Sequence, residues 1–74
     1  MYTVYSKENC GYCVAAIGLL DINSKNYKVI KVGEDITREE FLDEYPDVRT
    51  MPFILAEDGD AIGGFKSLQE HLDQ

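Results

Sequence analysis

The first 32 residues switch twice between two hydrophobic patterns, and this switching constrains the fold more than any other feature of the chain. Tyr2 to Tyr5 is β-branched or aromatic throughout, and residues 27–32 (Tyr-Lys-Val-Ile-Lys-Val) are also typical of a strand. Between them, apolar residues recur at helical spacing from Cys13 to Leu20, and Asn23-Ser24 provides a stop. A strand, helix, strand unit predicts two parallel strands joined by a crossover helix.

The second half of the chain predicts a helix, a hairpin and a last helix. Thr37 to Glu40 fits a capping box, in which the Thr hydroxyl and the Glu carboxylate accept from free backbone N–H groups, and Pro46 ends this helix. Pro52 to Ala56 is a predicted third strand, and Asp58-Gly59 is a hairpin turn signal before a short strand at Ala61-Ile62. The last helix buries one face, formed by Phe65, Leu68 and Leu72.

These elements predict the order β-α-β-α-β-β-α, an α/β fold with a four-stranded sheet flanked by helices. The sheet is expected to be mixed, because a crossover helix implies parallel pairing and an Asp-Gly turn implies an antiparallel hairpin. With 74 residues there is room for one small hydrophobic core, so residues 1–74 are predicted to form a single domain. We expect this domain to be a monomer.

Charge and hydropathy exclude two classes of partner. Seven Lys and Arg against fourteen Asp and Glu leave a net charge of −7, which repels phosphate backbones and argues against nucleic-acid binding. No apolar run approaches the roughly 20 residues that span a bilayer. The start of the sequence lacks a basic region followed by an apolar stretch, so we expect a cytoplasmic protein without a secretory signal.

The two cysteines, Cys10 and Cys13, lie where the first helix is predicted to begin. A disulfide across so short a loop removes little entropy from the unfolded chain, so the pair is expected to be catalytic or metal-binding. Thiol–disulfide exchange needs an accessible thiolate and a second thiol to resolve the mixed disulfide. Free N–H groups at a helix start lower a thiol pKa, which favours Cys10 as the nucleophile and Cys13 as the more buried resolving thiol. Lys7 could stabilise the thiolate or attract an anionic substrate, or it could be a solvated surface lysine.

Zinc binding is the competing interpretation of this cysteine spacing. A structural zinc site takes about four ligands, whereas Cys10, Cys13 and His71 are the only good candidates here. His71 is expected on the solvent face of the last helix. Zinc is therefore the weaker alternative, and no metal ligands are assigned.

Two further segments have backbone groups suited to binding a ligand, either a polypeptide chain or a carboxylate. The bond before Pro52, at a strand start, would in its cis form turn the backbone N–H and C=O of Met51 toward a bound chain, although trans is the commoner form. Gly63-Gly64 stands directly before a helix. Because glycine has no side chain, a ligand can come close to the backbone there, and free N–H groups are able to hold a carboxylate. Such a pair is also common in ordinary turns.

Three segments in order, Lys7 to Cys13, Arg49 to Pro52 and Ile62 to Phe65, resemble the signature of the glutaredoxins. The similarity extends across essentially the whole chain. The part from Thr50 to Gln74 is particularly similar to the compact glutaredoxin-type proteins of bacteriophages, some of which are called thioredoxins.

This resemblance implies a thioredoxin-like fold and a thiol–disulfide oxidoreductase that uses glutathione as its co-substrate. Cys10 would be the nucleophile and Cys13 the resolving thiol, with disulfide-containing proteins as substrates and ribonucleotide reductase among them. The residues that would bind glutathione are Lys7, Tyr12, Thr50, Met51, cis-Pro52, Gly64 and Phe65. Without the resemblance, Tyr12 would be expected to be an exposed loop aromatic.

Two departures from the family pattern keep alternatives open. Gly11 stands where many members have proline, and members with glycine there sometimes bind a [2Fe–2S] cluster, shared across a dimer through the cysteine and glutathione thiolates. Lys66-Ser67 stands where the family usually places an acidic residue that receives the glutathione α-amino group. The protein could therefore be reduced by a thioredoxin-reductase-like flavoenzyme. A third alternative is an interaction protein in which the thiols are incidental.

Overall fold

The computed structural model describes residues 1–73, and its elements follow the predicted order. They are β1 (Tyr2–Ser6), α1 (Gly11–Ile22), β2 (Tyr27–Lys31), α2 (Arg38–Glu44), β3 (Phe53–Leu55), β4 (Ala61–Gly63) and α3 (Phe65–Leu72). The strand order is β2-β1-β3-β4, with β1 parallel to β2 and the two other pairs antiparallel. The predicted α/β fold with a four-stranded mixed sheet is therefore confirmed.

The differences from prediction lie at the ends of elements. The second strand was expected to include Val32, but it ends at Lys31, because the chain folds back and the Asp35 N–H donates to the Lys31 carbonyl at 2.8 Å. The third strand is shorter than predicted, at Phe53–Leu55. The first helix ends where its stop signal predicts, with Asn23 as its C-cap.

The two faces of the sheet carry different hydrophobic clusters. Toward α1 and α3, five side chains are completely buried: Val4, Ala16, Leu20, Ile54 and Leu68. Toward α2, four aromatic rings contact one another with centroids 4.8–6.1 Å apart: Tyr5, Phe41, Tyr45 and Phe53. Successive strand residues point to opposite faces, so β1 supplies both clusters from adjacent positions.

The predicted capping box holds the start of α2. The Thr37 hydroxyl accepts from the Glu40 N–H at 3.0 Å, and the Glu40 carboxylate accepts from the Thr37 N–H at 3.1 Å. This reciprocal pair fixes the direction of α2, so that Phe41 enters the aromatic cluster and is 2% exposed.

Strand directions bring three loops together at one edge of the sheet, the edge at which β1 ends. Tyr5, near the end of β1, pairs with Phe53 at the start of β3, and Gly63 at the end of β4 pairs with Ile54. The segment after β1, the segment before β3 and the segment after β4 therefore meet at this edge. Among residues 1–73, no helix is long and apolar enough to cross a membrane.

Candidate active site

Cys10 and Cys13 occupy the start of α1 and are joined by a disulfide. Cys10 is the N-cap, with an extended backbone (φ −109°, ψ 101°), and its Sγ accepts from the Cys13 N–H at 3.2 Å. Cys13, one turn into the helix, is 3% exposed, whereas Cys10 is half-buried. The sulfur that a substrate can reach is therefore that of Cys10, as the sequence predicts.

The turn that presents Cys10 depends on the residue before it. Asn9 has φ 57°, in the left-handed region, which Asn adopts more readily than most residues. This turn takes the chain from the end of β1 to the start of α1. Gly11, which follows Cys10, is the first residue of α1, and a Cβ there would meet no atom within 4 Å. Sterics within the chain therefore do not require glycine at position 11.

The loop before β3 faces the cysteine pair. The Met51–Pro52 bond is cis, Pro52 is buried, and the Met51 carbonyl oxygen lies 3.7 Å from the Cys10 Sγ. Gly64 packs behind this loop, since a Cβ there would lie 3.7 Å from the Pro52 carbonyl oxygen. The backbone of Met51 thus borders the reactive sulfur.

A groove of about 610 Å³ runs across this edge of the sheet, and Cys10 lies in it. All seven residues expected to bind glutathione line it together with Cys10: Lys7, Tyr12, Thr50, Met51, Pro52, Gly64 and Phe65. They come from three separate segments of the chain, within residues 7–13, 49–52 and 62–65. We call this the disulfide groove.

Two aromatic rings form one wall of the disulfide groove. The rings of Tyr12 and Phe65 have centroids 5.9 Å apart and planes inclined at 40°. Tyr12 belongs to α1 and is 67% exposed, and its ring contacts that of Phe65 within this wall. An apolar wall of this kind suits the carbon skeleton of a small peptide.

The start of α3 forms the end of the groove. Gly63 has φ 116°, which only glycine adopts without strain, and Gly64 is an N-cap without a side chain to accept from the first N–H groups. These N–H groups remain available to a ligand. Lys66 and Ser67, in the first turn, line the same groove.

The sequence assigns no binding role to four of the lining residues: Asn9, Gly11, Lys66 and Ser67. The signal for Asn9 was its position directly before Cys10, since asparagine tolerates a left-handed backbone. Lys66-Ser67 departs from the family pattern in sequence, and the structure places that departure inside the groove.

His71 lies on α3 and contacts a different part of the chain. Its Nε2 is 3.3 Å from the Tyr2 hydroxyl, and the two rings meet edge to face. Across residues 1–73, no three His, Cys, Asp or Glu side chains are grouped so that they could hold a metal ion. The zinc alternative thus lacks a ligand set in the part of the chain that is described.

This arrangement combines a reachable sulfur, a buried partner sulfur one turn away, and a cis-proline loop that exposes backbone groups beside them. A mixed sheet of this topology with such a site defines a thiol–disulfide oxidoreductase with a thioredoxin-like fold.

Comparison with known proteins identifies the family. The sequence model of the family described as Glutaredoxin matches residues 2–62, and the chain belongs to that family. A comparison with curated protein sequences finds no significant match.

Solved structures agree with this assignment. Glutaredoxin 1 from Francisella tularensis, crystallised with cacodylate, superposes with a TM-score of 0.83 at 26% identity, over 97% of this chain and 91% of that one. A buckwheat glutaredoxin–glutathione complex gives 0.77 at 30% identity, over 97% and 68%. A thioredoxin-like protein gives 0.75 at 26% identity, over 95% and 97%.

Proposed function

We propose that this glutaredoxin is glutathione-linked, and that it reduces protein disulfides and glutathione mixed disulfides with Cys10 as nucleophile and Cys13 as resolving thiol. One observation carries the proposal: a single groove gathers the seven expected glutathione-binding residues around the reachable sulfur of Cys10. The buckwheat protein, at 30% identity, was crystallised as a complex with glutathione, which supports the same ligand here.

The monothiol reaction uses Cys10 alone. The Cys10 thiolate attacks the glutathione sulfur of a mixed disulfide, and the substrate thiolate leaves and takes a proton. A second glutathione thiolate then attacks the Cys10–glutathione disulfide, which releases oxidised glutathione and restores Cys10. The Cys13 N–H, 3.2 Å from the Cys10 Sγ, stabilises the thiolate in both steps.

The dithiol reaction uses both cysteines. Cys10 first forms a mixed disulfide with one sulfur of the substrate protein, whose other sulfur leaves as a thiol. Cys13 then attacks Cys10, which frees the substrate and forms the Cys10–Cys13 bond. Two glutathione molecules, oxidised to one disulfide, return the pair to dithiol.

Bound glutathione would occupy the whole length of the disulfide groove. The backbone of Met51 would pair with the cysteine residue of glutathione, since its carbonyl oxygen is 3.7 Å from the Cys10 Sγ. Tyr12 and Phe65 would form the apolar wall, Lys7 would attract a carboxylate, and the N–H groups after Gly64 would hold the γ-glutamyl end.

A flavoenzyme of the thioredoxin-reductase type is the second candidate electron source. Lys66 and Ser67 line the groove where the glutathione α-ammonium group would need an acidic partner. A cation there repels an ammonium group, which weakens glutathione binding. The similarity to a thioredoxin-like protein is consistent with this alternative.

An iron–sulfur cluster does not fit a single copy of this chain. The chain has two cysteines, and a [2Fe–2S] cluster takes four ligands. Cys13 is 3% exposed, so Cys10 is the one thiol that a cluster could reach. The remaining ligands would have to come from a second copy and from glutathione, and we derive no step through a cluster.

The deciding experiment measures turnover of a small glutathione mixed disulfide with glutathione, glutathione reductase and NADPH. We expect wild type to be active, Cys10→Ser to be inactive, and Cys13→Ser to retain the monothiol reaction. Activity that survives in Cys10→Ser would overturn the nucleophile assignment. Turnover with thioredoxin reductase but not with glutathione would overturn the glutathione link and leave dithiol exchange in place.

We further propose that the protein acts in the cytoplasm, as a monomer, on disulfide-containing proteins. Ribonucleotide reductase is a substrate expected from the family resemblance. Reduction of oxidised ribonucleotide reductase by the reduced protein, followed by gel analysis of the thiols, tests this substrate directly.

A further inference from the structure

A second groove, of about 680 Å³, lies beside the disulfide groove, between α2 and the loop before β3. Its apolar residues include Phe41, Val48 and Met51, which are buried or half-buried. Its cations are Lys7, Arg38 and Arg49, all exposed. We call this the basic groove.

The charge of the basic groove is opposite to that of the whole protein. The chain has a net charge of −7 and only seven Lys and Arg residues, and three of the seven lie here. No Asp or Glu belongs to the groove lining. Acidic ligands that the protein as a whole repels would therefore meet a local positive potential at this position.

None of the three cations forms an ion pair within the described part of the molecule. Across residues 1–73, the ion pairs within 4.0 Å are Lys31–Glu34 and the N-terminal amine with Glu57. Arg38 is also the first residue of α2, where a cation opposes the helix dipole. Neither pairing nor helix stability accounts for Arg38 and Arg49 at this groove.

The basic groove is continuous with the active site. Lys7 and Met51 line both grooves, and the Met51 carbonyl oxygen lies 3.7 Å from the Cys10 Sγ. Consider a substrate polypeptide whose cysteine contacts Cys10 and whose backbone lies along Met51. The residues that flank its cysteine would then lie next to the basic groove.

We infer that the basic groove binds acidic side chains that flank the cysteine of a protein disulfide substrate, with Arg38 and Arg49 as the specificity-determining residues. This inference rests on the proposed dithiol reaction and names its substrate class. Charge complementarity selects the partner. The apolar residues of the groove, Phe41, Val48 and Met51, accommodate an apolar side chain next to the acidic one in the substrate.

The test is single-turnover reduction of two synthetic peptides by the pre-reduced protein, with no other electron donor present. Each peptide has one internal disulfide, and the two differ only in Glu or Gln at the positions beside the cysteines. Each turnover moves two electrons and two protons to the peptide and converts Cys10 and Cys13 to their disulfide. Acid quenching followed by mass spectrometry gives the rate of appearance of reduced peptide.

We expect the Glu peptide to react faster than the Gln peptide, with an advantage that decreases as salt screens the charges. Arg38→Gln and Arg49→Gln should each slow the Glu peptide about threefold, and the double variant about tenfold, relative to the Gln peptide. Lys25→Gln is the matched control, because it removes one positive charge from an exposed position outside both grooves. It should leave the ratio of the two rates unchanged.

Four results would overturn the inference. Equal rates for the two peptides would show that the groove does not distinguish Glu from Gln, while the dithiol reaction itself would stand. An equal loss in Lys25→Gln would assign the effect to net charge. An equal loss with the glutathione mixed disulfide would assign the arginines to the disulfide groove. If neither peptide is reduced, the proposed dithiol function fails, and this inference fails with it.

Discussion

The Cys10 Sγ lies between the Cys13 N–H, at 3.2 Å, and the Met51 carbonyl oxygen, at 3.7 Å. The two contacts act in opposite directions on the charge of the sulfur. The N–H donor favours a thiolate, whereas the carbonyl oxygen disfavours a negative charge and can accept from a neutral thiol. The donor is nearer and is supported by the start of α1, so we expect the thiolate to be favoured.

In the reduced protein, the pKa of the Cys10 thiol should therefore lie below the value of about 8.5 for a free thiol. The pKa of Cys13 should lie above that value, because burial in apolar surroundings disfavours its charged form. Ultraviolet thiolate absorbance against pH, recorded for Cys10→Ser and Cys13→Ser, separates the two titrations. An ordinary or raised value for Cys10 would contradict its role as nucleophile.

Replacing Tyr12 should affect ligand binding more than stability. Its ring is 67% exposed and contacts Phe65 in the same wall of the disulfide groove. Tyr12→Ala should raise KM for the glutathione mixed disulfide about threefold to tenfold, from the loss of an aromatic contact. The free energy of unfolding should change by about 0.5 kcal/mol or less. Tyr12→Phe keeps the ring and serves as the control, so a KM increase of the same size in both variants would refute this explanation.

Two glycine substitutions should change stability in opposite directions. Gly63 has φ 116°, and an added Cβ would lie 3.2 Å from the Ser67 Oγ, so Gly63→Ala should cost about 1–3 kcal/mol. Gly18 lies within α1, where an added Cβ would meet no atom within 4 Å. Gly18→Ala should stabilise the protein by about 0.5–1 kcal/mol, since alanine is the better helix former. Urea unfolding measures both, and destabilisation by Gly18→Ala would show that its side-chain position is not free.

The aromatic cluster should make stability depend on alkaline pH. Burial, with Tyr5 and Glu44 adding to it, raises the pKa of Tyr45 from 10.0 to about 12. Between these values the unfolded chain loses the phenol proton and the folded protein keeps it, so the free energy of unfolding falls as pH rises. Below about pH 10 this contribution is fully present.

Tyr45→Phe should make that decrease shallower. It should not abolish it, because the pKa is also raised at Tyr2, mainly by burial, and at Tyr27, mainly by a hydrogen bond to Asp21. Urea unfolding at a series of pH values from about 9 to about 11 gives the two curves. Tyr12→Phe removes a hydroxyl from an exposed ring and is the control. Parallel curves for wild type and Tyr45→Phe would rule out this role for Tyr45.

Most of the fold could be predicted from local patterns. The apolar spacing from Cys13 to Leu20, the Thr37–Glu40 capping box and the Asp58-Gly59 turn each depend on neighbouring residues, so their signals are complete within a short window. The end of the second strand was less predictable. Val32 fits a strand by its side chain, but backbone hydrogen bonds of the following loop decide where the strand ends.

The site was only partly predictable. The placement of Cys10 at the helix start and the burial of Cys13 follow from their spacing in an apolar helix. The cis bond at Pro52 did not follow from the residues alone, because trans is the commoner form, and it was expected only through the family resemblance. The basic groove was not visible at all, since an overall charge of −7 suggests a uniformly acidic surface.

The sequence by itself determined the order of elements, the helix caps and the chemistry of the cysteine pair, because these depend on residues close together in the chain. Tertiary structure decided which distant residues meet. It set Met51 beside Cys10, Tyr12 against Phe65, and Arg38 near Arg49. Strand pairing of β1 with β3 brings these segments to one edge, and the distances across that edge depend on the packing of the whole sheet.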